Sequence, residues 1–223
     1  MRDHEVIAMT MRPPLWADRQ QAGVELAALL RERLPDDADL VVLGLPRGGV
    51  VVAAEVARVL GAELDALVVR KVGVPWHPEL AIGAVGTTGV RVRNDDVVRY
   101  AGLTEAELDQ AFRTAEEEVA RREQVLRDGR PPPALAGRTA VLVDDGLATG
   151  ATALAAIRIV RRSDPASVTL AVPVAPPDPD ARLLAEADTF VALAQPRRFG
   201  SVGTWYADFR QIEDEDVRTL LSR

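Results

Sequence analysis

Short apolar runs and amphipathic stretches alternate along most of this chain. Leu40-Val41-Val42-Leu43-Gly44-Leu45 and residues 64–69, 141–143, 168–174 and 189–193 are brief, rich in β-branched residues and bounded by polar or turn residues. That is the pattern of strands buried on both faces. Helical patterns lie between them. Residues 18–34 place Ala22, Leu26, Leu29 and Leu30 on one face and Arg19, Glu25 and Arg33 elsewhere, and Pro35-Asp36-Asp37 ends the segment. Residues 50–60 form a second helix capped by Gly61. The clearest runs over 104–127: Thr104 and Glu107 form a capping box, Leu108, Phe112, Ala115, Val119 and Leu126 make one stripe, and Gly129 closes it. Further on, Leu154, Ile157 and Val160 mark a core-facing stripe, and residues 178–186 read as a last helix. The order β-α-β-(insert)-α-β-α-β-α-β predicts a doubly wound, mostly parallel sheet flanked by helices, an α/β fold.

Three stretches break this alternation. Residues 1–15, interrupted by Pro13-Pro14, read as a loose arm. Between Val72 and Asn94, Gly73-Val74-Pro75-Trp76-His77-Pro78 reads as a stiff irregular loop, and residues 80–85 and 90–93 around Thr87-Thr88-Gly89 as an antiparallel hairpin. The tail gathers Phe199, Trp205, Tyr206 and Phe209, although aromatics make up only 4% of the chain. One domain over 1–223 is expected, with a core over about 38–195, an arm over 1–37 and a tail over 196–223.

Composition narrows the chemistry. The 223 residues carry a net charge of −7 and no lysine or arginine run longer than two, so no broad nucleic-acid face is expected. With no cysteine, and only His4 and His77, a zinc cage is not expected, and any metal should be a hard, oxygen-loving ion. No run approaches the roughly 18 apolar residues that cross a bilayer. A cytoplasmic protein with neither membrane nor nucleic-acid partner is expected.

The informative chemistry sits after the third of the parallel strands, in Val141-Leu142-Val143-Asp144-Asp145-Gly146-Leu147-Ala148-Thr149-Gly150-Ala151-Thr152. Ligands of α/β sheets bind at the carboxyl edge, where loop amides and a helix N-terminus favour an anion. Asp144 and Asp145 would repel phosphate; they suit a polyol's hydroxyls or a divalent cation. A Walker loop would need lysine where Ala151 stands, and a dinucleotide fingerprint would need G-x-G-x-x-G. A sugar phosphate fits what remains. A second turn, Pro46-Arg47-Gly48-Gly49, follows the first strand and combines close backbone approach with a forked donor. Arg70-Lys71 place two cations at the carboxyl end of the second strand.

The Val-Asp-Asp-Gly-x-x-Thr-Gly-x-Thr stretch resembles the phosphoribosyl-diphosphate (PRPP) motif of type I phosphoribosyltransferases. The resemblance spans about residues 38–195 and is specific at two loops. It implies the type I fold, with an inserted lid over Val72–Asn94 and a terminal hood. Asp144 and Asp145 would hold the ribose hydroxyls and Mg²⁺, and Gly146, Leu147, Ala148, Thr149, Gly150, Ala151 and Thr152 would wrap the 5′-phosphate. Pro46, Arg47, Gly48 and Gly49 would meet the diphosphate with Arg70 beside them, and Arg47 and Lys71 would act on it in catalysis. The implied partners are PRPP and a small heterocyclic base or nucleotide, and a homodimer is allowed. The implied reaction displaces pyrophosphate from Mg²⁺-PRPP by a nitrogen nucleophile, or reverses it. Two rival readings remain: a non-catalytic PRPP- or nucleotide-binding regulator on the same scaffold, and a phosphatase with Asp144 as nucleophile. His77 and the tail aromatics read first as surface and as core anchors respectively.

Overall fold

The structure is a computed structural model describing residues 14–35 and 37–222; most of the arm expected at 1–15 lies outside them. In chain order the elements are α1 (Arg19–Arg33), β1 (Leu40–Gly44), α2 (Gly48–Leu60), β2 (Glu63–Ala66), β3 (Val69–Val74), β4 (His77–Gly86), β5 (Val90–Arg93), α3 (Asp95–Ala101), α4 (Glu105–Arg127), β6 (Thr139–Val143), α5 (Ala151–Arg161), β7 (Ser167–Val174), α6 (Ala181–Glu186), β8 (Thr189–Ala194) and α7 (Asp214–Leu221). No described helix is long and apolar enough to cross a membrane.

Five strands form a wholly parallel sheet in the order β2-β1-β6-β7-β8. All five residues of β6 are buried, as the apolar run required. One core layer sets β1, β6 and β7 against α5 through Leu43, Leu142, Leu170, Ile157 and Val160. The opposite layer packs Val42, Val141 and Ala171 against Leu26 and Leu30 of α1 and Val52 and Val56 of α2. Side chains of this size contribute about 1.5–3 kcal/mol each on full burial. Asp18 caps α1 by accepting the Gln21 N–H at 2.8 Å, and Gly61 ends α2 in the left-handed conformation at φ 68°, where a Cβ is costly.

The interval after β2 differs from the expectation. The apolar run over 64–69 is not one strand: the parallel strand stops at Ala66, and Val69 starts a separate three-stranded antiparallel sheet, β3-β4-β5. Arg70 and Lys71 therefore lie inside β3 and not at the carboxyl end of a parallel strand. The expected irregular loop at 73–78 is the end of β3, a tight Pro75-Trp76 turn and the start of β4. Val72, Val74, Ile82 and Val85 pack with the predicted α4 stripe, and Ala84 and Val92 pack with the α5 layer. The sheet is held between two helices, and its turn stands free, with Trp76 63% exposed. Two short helices went unread, α3 and α7. Each is capped by polar residues and, over only seven or eight residues, buries just one or two side chains, too few for an apolar period to stand out along the chain.

Candidate functional site

Asp144 and Asp145 follow the last residue of β6, at the carboxyl edge between β1 and β7. The Leu45 N–H donates to the Val143 carbonyl at 2.9 Å, and the Leu147 N–H to the Val174 carbonyl at 2.8 Å, which fixes the exit of this segment from the sheet. Both acids are half-buried. The Asp145 N–H donates to Asp144 Oδ1 at 2.8 Å, and Arg19 Nε donates to Asp145 Oδ2 at 2.8 Å. Burial and the neighbouring Asp145 push the Asp144 carboxyl well above the usual range. Burial also raises Asp145, while its hydrogen bond from Arg19 pulls it back down. The two acids are thus unequal: one has a cation in contact and the other does not.

Beyond them the chain turns through Gly146 to Gly150, which caps α5 in the left-handed conformation at φ 73°. Among the described residues the N–H groups of Gly146, Ala148, Thr149 and Gly150 meet no protein acceptor, and Thr149 Oγ1 accepts the Ala151 N–H at 3.5 Å. Ala148, Thr149 and Thr152 are exposed. Free loop amides at the positive end of a helix form a site for an anion such as phosphate.

The second turn meets the first in space. A Cβ on Gly49 would stand 2.9 Å from Asp144 Cα and Oδ1, and one on Gly48 would stand 2.0 Å from Asp145 Oδ2. These glycines let the start of α2 lie directly against the acid pair. The Pro46–Arg47 peptide bond in this turn is cis. Arg47 itself points away: its Nη1 lies 3.4 Å from Glu213 Oε2 and 3.8 Å from Asp214 Oδ1, at the start of α7. Arg70 pairs with Glu118 of α4. Lys71 occupies an exposed position of β3 opposite Ala84, and no described hydrogen bond or ion pair ties it to either turn. His77 is exposed beside the Pro75-Trp76 turn. The structure thus joins Gly48, Gly49, Asp144 and Asp145, and leaves Arg47, Arg70 and Lys71 aimed at, or exposed near, other elements.

The tail closes over this edge. Trp205 and Tyr206 are buried with Trp16, Ala22 and Val174, so both anchor the tail, as the sequence favoured. The Tyr206 hydroxyl donates to the Asp145 carbonyl at 2.6 Å, and a Cβ on Gly146 would stand 2.5 Å from Val202 Cγ1. Burial pushes the Tyr206 phenol upward. Phe209 stacks on Tyr206 with ring centroids 5.2 Å apart.

Arg19 is the site residue that sequence reasoning missed. It was placed off the buried face, yet it is 7% exposed and in contact with Asp145. The available signal was its phase: residues 19, 22, 26 and 30 share one helical face.

The described residues include no cluster of three or more acidic, histidine or cysteine side chains able to hold a metal. Two carboxylates do fit Mg²⁺ of the kind that arrives with a phosphorylated substrate, because that ion commonly takes one or two carboxylates and completes its octahedron with phosphate oxygens and water. Asp144, which lacks a contacting cation, is the better placed of the two.

The family described as "Phosphoribosyl transferase domain" matches residues 18–192. Two Mycobacterium tuberculosis proteins, each carrying the name "putative phosphoribosyl transferase", are 51% identical over 209 residues, which is 94% of this chain and 47% of each relative. The chain therefore spans about half the length of these curated relatives. Among solved structures, TT1426 of Thermus thermophilus is 45% identical, with a TM-score of 0.84 over 92% of this chain and 97% of that one. A hypothetical protein of Neisseria gonorrhoeae solved with ppGpp is 13% identical, covers 95% of this chain and 97% of that one, and has a TM-score of 0.52, a likeness of fold alone.

Proposed function

Because this chain belongs to the phosphoribosyl transferase family, on a parallel α/β sheet of the type I kind, we propose that it binds Mg²⁺-PRPP at the carboxyl edge and transfers the 5-phosphoribosyl group to a nitrogenous base, or catalyses the reverse. The observation that carries this reading is the contact of two turns about a hundred residues apart, Gly48-Gly49 against Asp144-Asp145. It sets an acid pair, a loop of free amides and a glycine turn side by side. Those are the groups that a sugar carrying phosphate at one end and diphosphate at the other needs.

In this reading Asp144 and Asp145 accept hydrogen bonds from the ribose hydroxyls. The free amides of Gly146, Ala148, Thr149 and Gly150 and the first turn of α5, with Thr149 and Thr152, hold the 5′-phosphate. The backbone at Gly48 and Gly49 lies along the diphosphate. Arg47 reaches it by releasing Glu213 and Asp214, an exchange of two long, partly exposed ion pairs for a charge-assisted contact with phosphate. Mg²⁺, where bound, would be held by Asp144, with Asp145 beside it, and would neutralise diphosphate charge. The bond from ribose C1 to the diphosphate breaks with its electron pair leaving on oxygen, and a lone pair of the base nitrogen forms the new C1–N bond. The proton released from that nitrogen passes to solvent or to the departing pyrophosphate. Catalysis on this account comes from orientation and from charge stabilisation of the leaving group. The Pro75-Trp76 turn is the candidate lid, since an oxocarbenium-like C1 must be kept from water.

Calorimetry with PRPP and Mg²⁺ on the wild type and on the Asp144→Asn/Asp145→Asn double variant tests the donor assignment; unchanged affinity in the variant would sink it. Pyrophosphate release against a panel of purines, pyrimidines and other nitrogen bases then tests transfer. PRPP binding with no release for any base would instead make the protein a PRPP-binding regulator.

A further inference from the structure

We infer that Arg19 is a positioning residue of the donor site, fixing Asp145 for the ribose and fastening the C-terminal tail to that same carboxylate. The inference rests on the donor reading above. It starts from a charge placed where helices bury apolar groups. Arg19 is the first residue of α1, 7% exposed, on the face that otherwise carries Ala22, Leu26 and Leu30. A buried guanidinium is costly unless its donors and its charge are matched. Here they are matched on three sides by different parts of the chain. Nε donates to Asp145 Oδ2 at 2.8 Å, Nη1 donates to the Arg210 carbonyl at 3.1 Å, and the guanidinium carbon lies 3.9 Å from the centre of the Phe209 ring. A Cβ on Gly48 would stand 2.8 Å from Arg19 Nε, so the glycine turn also packs on this group.

This arrangement does two things that a packing residue would not. It occupies one oxygen of Asp145 and leaves Oδ1 without a described protein partner, so a hydroxyl arriving at this acid meets a carboxylate of set orientation. It also gives the tail two attachments to one residue: Tyr206 on the Asp145 carbonyl, and Phe209 with Arg210 on the cation that holds the Asp145 side chain. The Asp144 carboxylate has no comparable anchor, the only polar contact described for it being the Asp145 N–H. Lysine cannot replace Arg19 in full, because an ammonium lacks the flat face and the fork that serve the three contacts together.

The test compares two ligands on the full chain. PRPP and inorganic pyrophosphate, each in EDTA so that no Mg²⁺ ties the diphosphate to the acid pair, are titrated by calorimetry into wild type, Arg19→Gln, Arg19→Lys and Phe209→Leu, with thermal melts of each. Loss of a partner that orients a binding group costs about tenfold or more, so Arg19→Gln should weaken PRPP by at least that factor while pyrophosphate, which does not use Asp145, changes by less than about threefold. Arg19→Lys should fall between wild type and Arg19→Gln, and Phe209→Leu should weaken PRPP a few-fold without loss of fold. PRPP binding by Arg19→Lys and Arg19→Gln that equals or exceeds wild type would overturn the inference, as would parallel loss of both ligands, which marks a purely structural role. If Arg19→Gln does not fold, the Arg19→Lys and Phe209→Leu pair decides by the same selectivity. Wild type that fails to bind PRPP at all would instead overturn the donor reading, and this inference with it.

Discussion

Replacing Asp144 by asparagine should make the ligand-free protein more stable while removing its affinity for PRPP. The substitution is nearly isosteric and keeps Oδ1 as the acceptor of the Asp145 N–H. What it removes is a half-buried negative charge next to another one, with the only contacting cation on the neighbour. Two unit charges about 4 Å apart interact by about 4 kcal/mol at an effective dielectric constant of about 20. Wider spacing and partial compensation by Arg19 reduce this, leaving a gain on the order of 1–2 kcal/mol at pH 8. For a chain of this size that is a rise in Tm of roughly 2–8 °C. The sign with pH follows from the raised Asp144 carboxyl. A folded-state value above the unfolded one, which is about 3.9, means that the wild type has its full stability below the unfolded value and loses some as pH rises through the folded one. Asparagine suffers no such loss. The advantage of the variant should therefore be largest at neutral and alkaline pH and shrink toward zero as pH falls to about 4. Thermal melts of both proteins from pH 4 to 8 in EDTA measure it. A variant no more stable than wild type at pH 8, or a gap that widens on acidification, would refute the reasoning that an unequally compensated acid pair is held here against the interest of the fold.

Four further substitutions have expected outcomes. Gly48→Ala should abolish PRPP binding and cost about 1–3 kcal/mol, because its Cβ would stand 2.0 Å from Asp145 Oδ2 and 2.8 Å from Arg19 Nε and so disturb that buried ion pair; Gly49→Ala, whose Cβ meets the Val143 carbonyl and Asp144 Cα, should cost about 1–3 kcal/mol by thermal or urea melt. Asp65→Ala, which removes one of the two carboxylates on the buried Arg127 guanidinium and leaves Glu123 paired with it, should destabilise by about 1–3 kcal/mol, read as a shift in urea midpoint at unchanged slope. Tyr206→Phe, losing the 2.6 Å hydrogen bond to the Asp145 carbonyl, should cost about 1 kcal/mol and weaken PRPP in calorimetry.

How much of this was legible depended on whether the signal was local. The apolar runs of β1, β6 and β7 state their own burial, whereas the edge strand β8 buries only Val191, and the Thr104-Glu107 box and the Leu108–Leu126 stripe delimit α4 because capping and helical phase are set within a few residues. The run over 64–69 misled because apolar content says only that residues are buried. The switch from a parallel to an antiparallel partner at Val69 is decided by the insert folding back between α4 and α5. At the site, Asp144-Asp145-Gly146 stood out because adjacent acids on a buried strand end conflict with folding, and such conflicts concentrate where function requires them.

Charged side chains were the hardest to read, for a physical reason. A glycine turn after a strand can lie only at the sheet edge, so Gly48 and Gly49 had to approach whatever else occupied that edge. An arginine reaches several ångströms in many directions, and its partner is chosen by how remote segments dock. Arg47 was assigned to the diphosphate, and without ligand it lies on Glu213 and Asp214 because α7 settles beside α2. Arg19 was placed off the apolar face, and it lies on Asp145 with the tail packed over it through Phe209 and the Arg210 carbonyl. Both outcomes involve residues 199–222, the stretch whose pattern said least. The tail is thus the element that most changes the site beyond its motifs: it supplies the counter-ions of Arg47, roofs Arg19 and anchors the backbone of Asp145. Variation in that segment should alter donor affinity even where every motif residue is kept.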